Sequence, residues 1–352
     1  SVLSSNLTTY IIRRLLLMIP TFIGITALVF TILQIVPGGP FEQELLRFKM
    51  AAMAGSEGGA SSGDSGVGLV DIPEEALQKL KEYYGLDKPA YVRYFIWLKK
   101  IVQLDLGKSY TYSEPVWNLI KERIHISAYF GFISFILSYL VCIPLGIFKA
   151  IKHGSKFDKL SSIIVFIGYS IPGFIFGAVL LVYFGGGSFW NVFPLGEFRS
   201  EDFEYFTFWG KVQDQLHHTI LPVMAYMVTA FATLTVLMKN SLMENLSQDY
   251  VRTAFAKGLS ERRVIFFHAV RNSLIPLATG IGGLLGVWLA GSYLIERVFN
   301  IDGIGMLGYM SIIKRDYPIT LGFLVIATLV RLFGNLISDI CYAAIDPRIR
   351  FK

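Results

Sequence analysis

Six stretches of this chain are too long and too apolar to be at home in water. Leu15–Val36 runs for 22 residues without an ionisable side chain, directly after Arg13 and Arg14. A helix needs about 20 apolar residues to cross roughly 30 Å of hydrocarbon. Further charge-free runs cover Ile126–Phe148, Ser161–Phe184, Ile220–Met238 and Leu274–Ile295, and a sixth, Ile319–Ser338, is broken only by Arg331. Backbone groups find no water in lipid, so runs of this length predict helices. A secretory signal would have an apolar region of about 7–15 residues before a small-residue cleavage site. The first run is longer and ends in the helix breaker Val36-Pro37-Gly38-Gly39-Pro40, which predicts a retained span. Only 16% of residues are charged and the mean hydropathy is +0.53, a balance that excludes disorder and argues against a soluble enzyme.

Six spans place both termini on one side. Prolines 144, 172, 222 and 276 and the glycines of Gly280-Ile281-Gly282-Gly283 and Gly286 lie in or beside the runs. Neighbouring helices re-satisfy a broken backbone, and small residues allow close packing. With the N-terminus inside, the inner segments carry Arg13, Arg14, Lys149, Lys152, Lys156 and Lys159. They also carry Lys239, Arg252, Lys257, Arg262, Arg263, Arg271, Arg348, Arg350 and Lys352. The short outer loops carry only Arg199, Lys211, Arg297, Lys314 and Arg315. The bias predicts cytoplasmic termini.

The chain divides accordingly. Residues 1–36 hold the tail and first span, 37–125 an extracytoplasmic helical segment, and 126–352 a five-helix core with an inner loop at 239–274. Ala54–Gly68 has six glycines and four serines in fifteen residues, a flexible-linker composition. Asp71-Ile72-Pro73-Glu74-Glu75 then opens a helix with Pro and acids in its first turn, and Gly85 ends it. A second helix is predicted over Tyr91–Leu104. This cap is too small for a catalytic core of its own.

The inner loop between spans four and five is the most informative stretch. It reads Gln248-Asp249-Tyr250-Val251-Arg252-Thr253-Ala254-Phe255-Ala256-Lys257-Gly258-Leu259-Ser260-Glu261-Arg262-Arg263, and continues through His268-Ala269-Val270-Arg271-Asn272 to Pro276. The pattern predicts a helix, a glycine stop at 258, a Ser260 N-cap and a second helix running to Pro276. On these grounds alone it is a charged loop retained inside by its bases.

The same stretch resembles the EAA loop of bacterial ABC importer permeases, in the form of the oligopeptide, dipeptide and nickel class. That class reads close to Y-V-R-T-A-R-A-K-G-L-S and then H-A-x-R-N-x-x-x-P. Phe255 departs from it, standing where the class usually has Arg, and like its class the chain lacks the literal Glu-Ala-Ala. The likeness extends to Arg13-Arg14-Leu15, Ile19-Pro20-Thr21, Gly85-Leu86-Asp87-Lys88-Pro89, Asp105-Leu106-Gly107-Lys108-Ser109, Arg315-Asp316-Tyr317-Pro318 and the tail Asp346-Pro347-Arg348. Pro37-Gly38-Gly39-Pro40 replaces the usual Pro-Gly-Asp-Pro. With Gly168-Tyr169-Ser170-Ile171-Pro172-Gly173-Phe174 and Gly185-Gly186-Gly187-Ser188-Phe189, that change is similar to the Yej-type subgroup, associated with oligopeptides and microcin C.

The resemblance implies an all-α membrane protein with the type I ABC importer permease fold of six transmembrane helices and a small helical periplasmic insertion. It implies a bacterial inner-membrane permease that pairs with a second, homologous permease, receives peptide from an extracytoplasmic binding protein and is driven by two ATPase subunits. ATP and Mg would be bound by those subunits and not by this chain; no nucleic acid is implied. It assigns ATPase docking to Arg252, Thr253, Ala254, Lys257, Gly258, Arg262, Arg263, His268, Arg271, Asn272 and Pro276.

Other candidates are weaker. Gly107-Lys108-Ser109 ends like a phosphate-binding loop, but Val102 stands where that motif needs Gly, so no ATPase site is expected in this chain. His217-His218 lacks an acid-rich ligand set, and no metal site is expected. Cys142 and Cys341 lie in apolar runs and form no framework. Arg331 sits mid-span, where an uncompensated charge costs about 2.5–3.5 kcal/mol on insertion scales. It should face a cavity or a partner, with Glu296 or Asp339 as candidate mates, and Arg331 and Glu296 are candidates for the translocation path. A proton-coupled secondary transporter is the main alternative, but it would want acids or histidines deep in the spans, and spans one to five have none away from their ends.

Overall fold

The computed structural model describes residues 2–56, 74–187, 189–289 and 291–345. The linker reading at 57–68, the opening Asp71-Ile72-Pro73 and the tail Asp346-Pro347-Arg348 lie outside the described residues. Among the described residues there are helices and two isolated bridges, Lys108 with Pro115 and Gly185 with Phe193, but no strand. Five helices are long and apolar enough to span a membrane, or six if one bent pair counts as a span. The described chain forms two units. One is Pro20–Leu119 with Met310–Val325; the other is Ser1–Ile19, Ile120–Tyr309 and Ile326–Lys352.

In the first unit, which takes α1 (Val2–Ile35) from Pro20 onward, α1 ends at the expected breaker and α2 (Pro40–Ser56) starts on its second proline. α2 was not anticipated, and it takes the first residues of the linker reading. α3 (Glu74–Tyr83) and α4 (Ala90–Val102) match the two predicted cap helices, with Gly85 at φ +66° closing α3. Phe30, Tyr94 and Leu321 are buried together against Trp97, and the Thr26 and Tyr94 hydroxyls lie 3.0 Å apart. Three motifs far apart in sequence meet here. Buried Asp316 accepts from the Ser109 hydroxyl at 2.6 Å and the Thr111 amide at 2.8 Å. The Arg315 guanidinium donates to the Pro37 carbonyl. A Cβ on Gly38, whose φ is +80°, would come within 2.9 Å of that guanidinium, so glycine serves both turn and contact.

In the second unit, α5 (Val116–Ile151) starts ten residues before the apolar run, and α6 (Lys156–Ser170) and α7 (Gly173–Phe184) follow. The run Ser161–Phe184, read as one span, holds two helices, α6 and α7, which meet at a 100° bend. Pro172 has no N–H to donate and forces Ile171 into extended backbone (φ −102°, ψ 120°), which ends α6. α8 (Phe208–Leu246) runs 39 residues with Pro222 inside it. Its buried face, Leu221, Ala225, Ala230 and Leu234, joins Phe130, Cys142, Leu180 and Phe299 in one core.

After the inner loop come α9 (Asp249–Ala256), α10 (Glu261–Arg263), a π-helical stretch (Val264–Ala269), α11 (Val270–Ser273) and α12 (Ile275–Leu289). α13 (Tyr293–Val298), α14 (Ile304–Ile313) and α15 (Tyr317–Ile345) complete the chain. The fifth run is also corrected: α12 stops at Leu289 and Gly291, at φ +77°, precedes a separate α13. α12 and α15 cross on small residues. A Cβ on Gly282 would collide with the Gly334 carbonyl oxygen, and Ser338 donates to the Ala278 carbonyl at 3.0 Å. Ala278, Gly282 and Gly286 recur every four residues, the spacing that lets spans approach closely.

Candidate functional site

The loop over 239–274 forms an elbow. α9 ends in a Schellman motif: the Gly258 amide donates to the Phe255 carbonyl at 2.9 Å and the Leu259 amide to the Ala254 carbonyl at 3.4 Å. Gly258 has φ +79°, the left-handed conformation the motif demands. Ser260 is extended and its carbonyl accepts from the Val264 amide at 3.0 Å. The N-cap position is as predicted, but the Ser260 hydroxyl makes no capping bond. The predicted regular second helix is likewise corrected. It widens to π geometry over Val264–Ala269 and continues past Pro276 through α11 and α12.

One face of this elbow is core. Val251, Ala254, Val264, Ile265, Ala269 and Val270 are buried with Met238, Leu242, Ile147 and Ala150. Ser273 donates to the Ala269 carbonyl at 2.7 Å and reaches the Ser241 carbonyl of α8 at 3.3 Å. Below it, Asp158, 4% exposed, takes both Lys239 at 2.8 Å and Lys149 at 3.1 Å. Removing one partner from a buried pair of this kind costs about 3–5 kcal/mol. The core and Ser273 thus fix the elbow to α5 and α8, and Asp158 ties α6 to the same two helices.

The other face is open. Arg252, Thr253, Lys257, Gly258, Arg262, Arg263, His268, Arg271 and Asn272 are all exposed. Ala254 is 7% exposed and belongs to the supporting core, and Pro276 is half-buried at the start of α12. Sequence reasoning missed three aromatics on this face: Phe255 and Phe266 are 45% exposed and Phe267 is 73% exposed. Phe255 had left a signal as a departure from the class pattern. Phe266 and Phe267 had not, because an apolar pair inside a helix reads as core until the π stretch turns it outward. The face combines aromatic and basic side chains on a glycine-set turn, which suits docking of a protein partner.

The two path candidates do not meet. Arg331 is exposed on α15, and its Cα lies 3.4 Å from where a Gly286 Cβ would stand. Asp339 pairs instead with Arg14 at 3.3 Å. Glu296, 1% exposed on α13, accepts from the Ser127 hydroxyl at 2.7 Å and the Met306 amide at 2.6 Å. Ser127 in turn accepts from the Ile304 amide at 2.8 Å. A Cβ on Gly303 would come within 2.5 Å of the Glu296 carboxyl carbon, so the acid is walled in by glycine backbone. Burial raises its pKa to about 7 despite the hydrogen bonds that pull it down. Glu296 therefore knots α5, α13 and α14. His218, 6% exposed, has Nδ1 2.9 Å from the Asp214 carbonyl oxygen one turn back.

Residues 142–351 match the family described as the binding-protein-dependent transport system inner membrane component. The chain is 41% identical to the peptidoglycan transport system permease protein YejB of Agrobacterium fabrum, over 97% of this chain and 98% of that one. It is 40% identical to the inner membrane ABC transporter permease protein YejB of Escherichia coli, over 97% and 99%. To the oligopeptide transport system permease protein AppB of Bacillus subtilis it is 35% identical, over 98% and 100%. A solved chain of an inward-facing MetNI methionine ABC transporter overlays with a TM-score of 0.49 at 16% identity, covering 65% of this chain and 99% of that one. Over nearly its whole length, then, the chain belongs to the binding-protein-dependent inner-membrane family, the permease subunits of ABC importers.

Proposed function

We propose that this chain carries peptides inward as one permease of an ATP-driven importer. It pairs with a second permease, takes peptide from an extracytoplasmic binding protein, and engages ATPase subunits that hold ATP and Mg. The observation that carries the reading is the elbow at Gly258. A Schellman turn anchored on a buried core presents Phe255, Phe267 and the bases Arg252, Lys257, Arg262 and Arg263 together. The relatives support peptide as cargo: their names give peptidoglycan, whose stems are peptides, and oligopeptides. A microcin C-like substrate is a narrower extension of the same reading.

Force applied at the elbow has a short route into the membrane. α11 is bonded to α8 through Ser273, and α12 continues directly from it to the close crossing on α15. Rotation of the elbow by closing ATPases thus moves α12 as a lever. Arg331, charged and exposed on α15, faces the path or the second permease. No observation favours the proton-coupled alternative.

The test is uptake of a labelled oligopeptide by vesicles holding the co-purified complex. Uptake should require the binding protein and ATP on the elbow side. Uptake driven by a proton gradient without ATP would overturn the proposal. Orientation is checked in the same cells. A cysteine at Glu201 should react with an impermeant maleimide after outer-membrane permeabilisation, and one at Ser260 should not.

A further inference from the structure

One helix of the unit built from Pro20–Leu119 and Met310–Val325 keeps an apolar face open along its length. We propose that this helix, α4, is seated in the extracytoplasmic leaflet of the membrane, with that face against lipid acyl chains. This does not rest on the transport reading.

The first argument is depth. The charge-free run Leu15–Val36 is the membrane-crossing part of α1. The Tyr94 hydroxyl of α4 donates to the Ile23 carbonyl at 3.1 Å and lies 3.0 Å from the Thr26 hydroxyl. Thr26 stands ten residues before Val36, a rise of about 15 Å along a helix. That is half of a hydrocarbon layer of about 30 Å. A tyrosine side chain is much shorter than this depth, so the α4 backbone beside it runs inside the apolar layer and not above it. One turn further on, the Trp97 ring packs on Phe30 with centroids 6.2 Å apart. Phe30, Tyr94 and Leu321, the last from the start of α15, are buried together. At the same level Leu28 and Ile32 of α1 are 61% and 48% exposed, and around a span of this hydropathy the medium is lipid.

The second argument is how α4 distributes its side chains. Tyr94 and Trp97 pack on α1. Arg93 and Lys100 line a cavity of about 510 Å³ whose wall also holds Glu82, Asp87 and Asp105, so this side is polar. The third side carries Tyr91, Phe95, Leu98 and Val102 at i, i+4, i+7 and i+11, a single stripe. Leu98 is partly buried, but Tyr91, Phe95 and Val102 are 67%, 64% and 80% exposed. The charged residues of α4 are Arg93, Lys99 and Lys100, all basic and all off the stripe. Bases on one side of a helix and aromatic and aliphatic residues on another mark a helix lying in a membrane interface, its apolar face about 5–10 Å into the acyl boundary. Lys99 and Lys100 stand in the last turn, where long stems carry the ammonium groups back to water. Left in water, the same stripe would be an open apolar patch with nothing to cover it.

The test is electron paramagnetic resonance of nitroxide labels on the complex in phospholipid nanodiscs, in a chain carrying Cys142→Ala and Cys341→Ala. Labels are placed singly at Tyr91→Cys, Phe95→Cys and Lys99→Cys, with Leu28→Cys as the lipid reference and Glu201→Cys as the water reference. Oxygen, which concentrates in lipid, and a water-soluble nickel chelate each relax the label. The oxygen-to-nickel ratio at Tyr91 and Phe95 should exceed that at Glu201 by about fivefold or more and approach that at Leu28, as a face about 5–10 Å into the acyl boundary demands. Lys99, off the stripe, should fall towards Glu201. Relaxation dominated by nickel at Tyr91 and Phe95 overturns the proposal, because the face then meets water. Low access to both reagents overturns it as well, because protein then covers the face. A second measurement needs no substitution. The wild-type complex is irradiated in bilayers of a phosphatidylcholine with a diazirine on its acyl chain, and the adducts are mapped by mass spectrometry. Adducts on Tyr91, Phe95 or Val102 are expected; adducts on α1 with none on α4 overturn the assignment.

Discussion

Gly258 offers the sharpest test of the coupling role because its environment isolates one physical effect. A Cβ built there meets no heavy atom within 4 Å, so substitution brings no clash. What it brings is backbone strain, since φ is +79°. An L-residue in that conformation costs about 1–2 kcal/mol, and Asn tolerates it better than others. Alanine should therefore cost about 1 kcal/mol and valine, with its restricted χ1, about 2 kcal/mol. Two backbone hydrogen bonds close the turn, each worth about 0.5–1.5 kcal/mol net. The valine penalty is thus comparable to everything local that holds the elbow, while the buried core around Val251 and Val264 remains intact. The assay is binding-protein-stimulated ATP hydrolysis by the reconstituted complex, with yield of membrane-inserted chain as the control. Activity should fall in the order Gly, Asn, Ala, Val at equal insertion, with Gly258→Val losing roughly tenfold or more, the factor that 1.4 kcal/mol represents. Full coupled activity in Gly258→Val, or an Asn variant as impaired as Val, would refute the argument.

Three further outcomes follow from the geometry. Gly282→Ala should cripple complex yield, because its Cβ collides with the Gly334 carbonyl, whereas Gly283→Ala, with open space around its Cβ, should assemble like wild type. Glu296 makes the fold pH-sensitive: its folded pKa of about 7 lies above the ordinary 4.5, so the folded state binds the extra proton. Stability should rise as pH is lowered from about 7 to about 4.5, by up to about 1.4 kcal/mol per unit, and Glu296→Gln should abolish that slope in thermal melts. Arg331→Gln should preserve assembly while changing peptide uptake, and Arg331→Leu should impair uptake more; loss of intact complex before any change in uptake would make Arg331 structural instead.

The order of helices was legible because hydropathy is a one-dimensional property. The breaker at Pro37–Pro40 and the turn glycines at 85 and 258 act within a few residues of themselves, and the structure places helix ends at each. The 100° bend at Pro172 had its signal too, but proline is tolerated inside α5 and α8, so the residue type alone could not say which proline would break a span. The residues proposed to dock the ATPase form a linear motif, yet the motif could not separate Ala254, which supports, from its exposed neighbours.

Side-chain partnerships were a different matter. Arg331 and Glu296 looked like mates because both are charges near lipid, but Glu296 is sealed by Ser127, Met306 and glycine backbone from segments up to 169 residues away. The sequence by itself determined which stretches are apolar helices and where the strongest breakers stop them, since those preferences are summed over neighbouring residues. Tertiary structure alone decided which buried polar groups meet, because that depends on contacts between residues far apart along the chain, and a hydropathy pattern does not encode them.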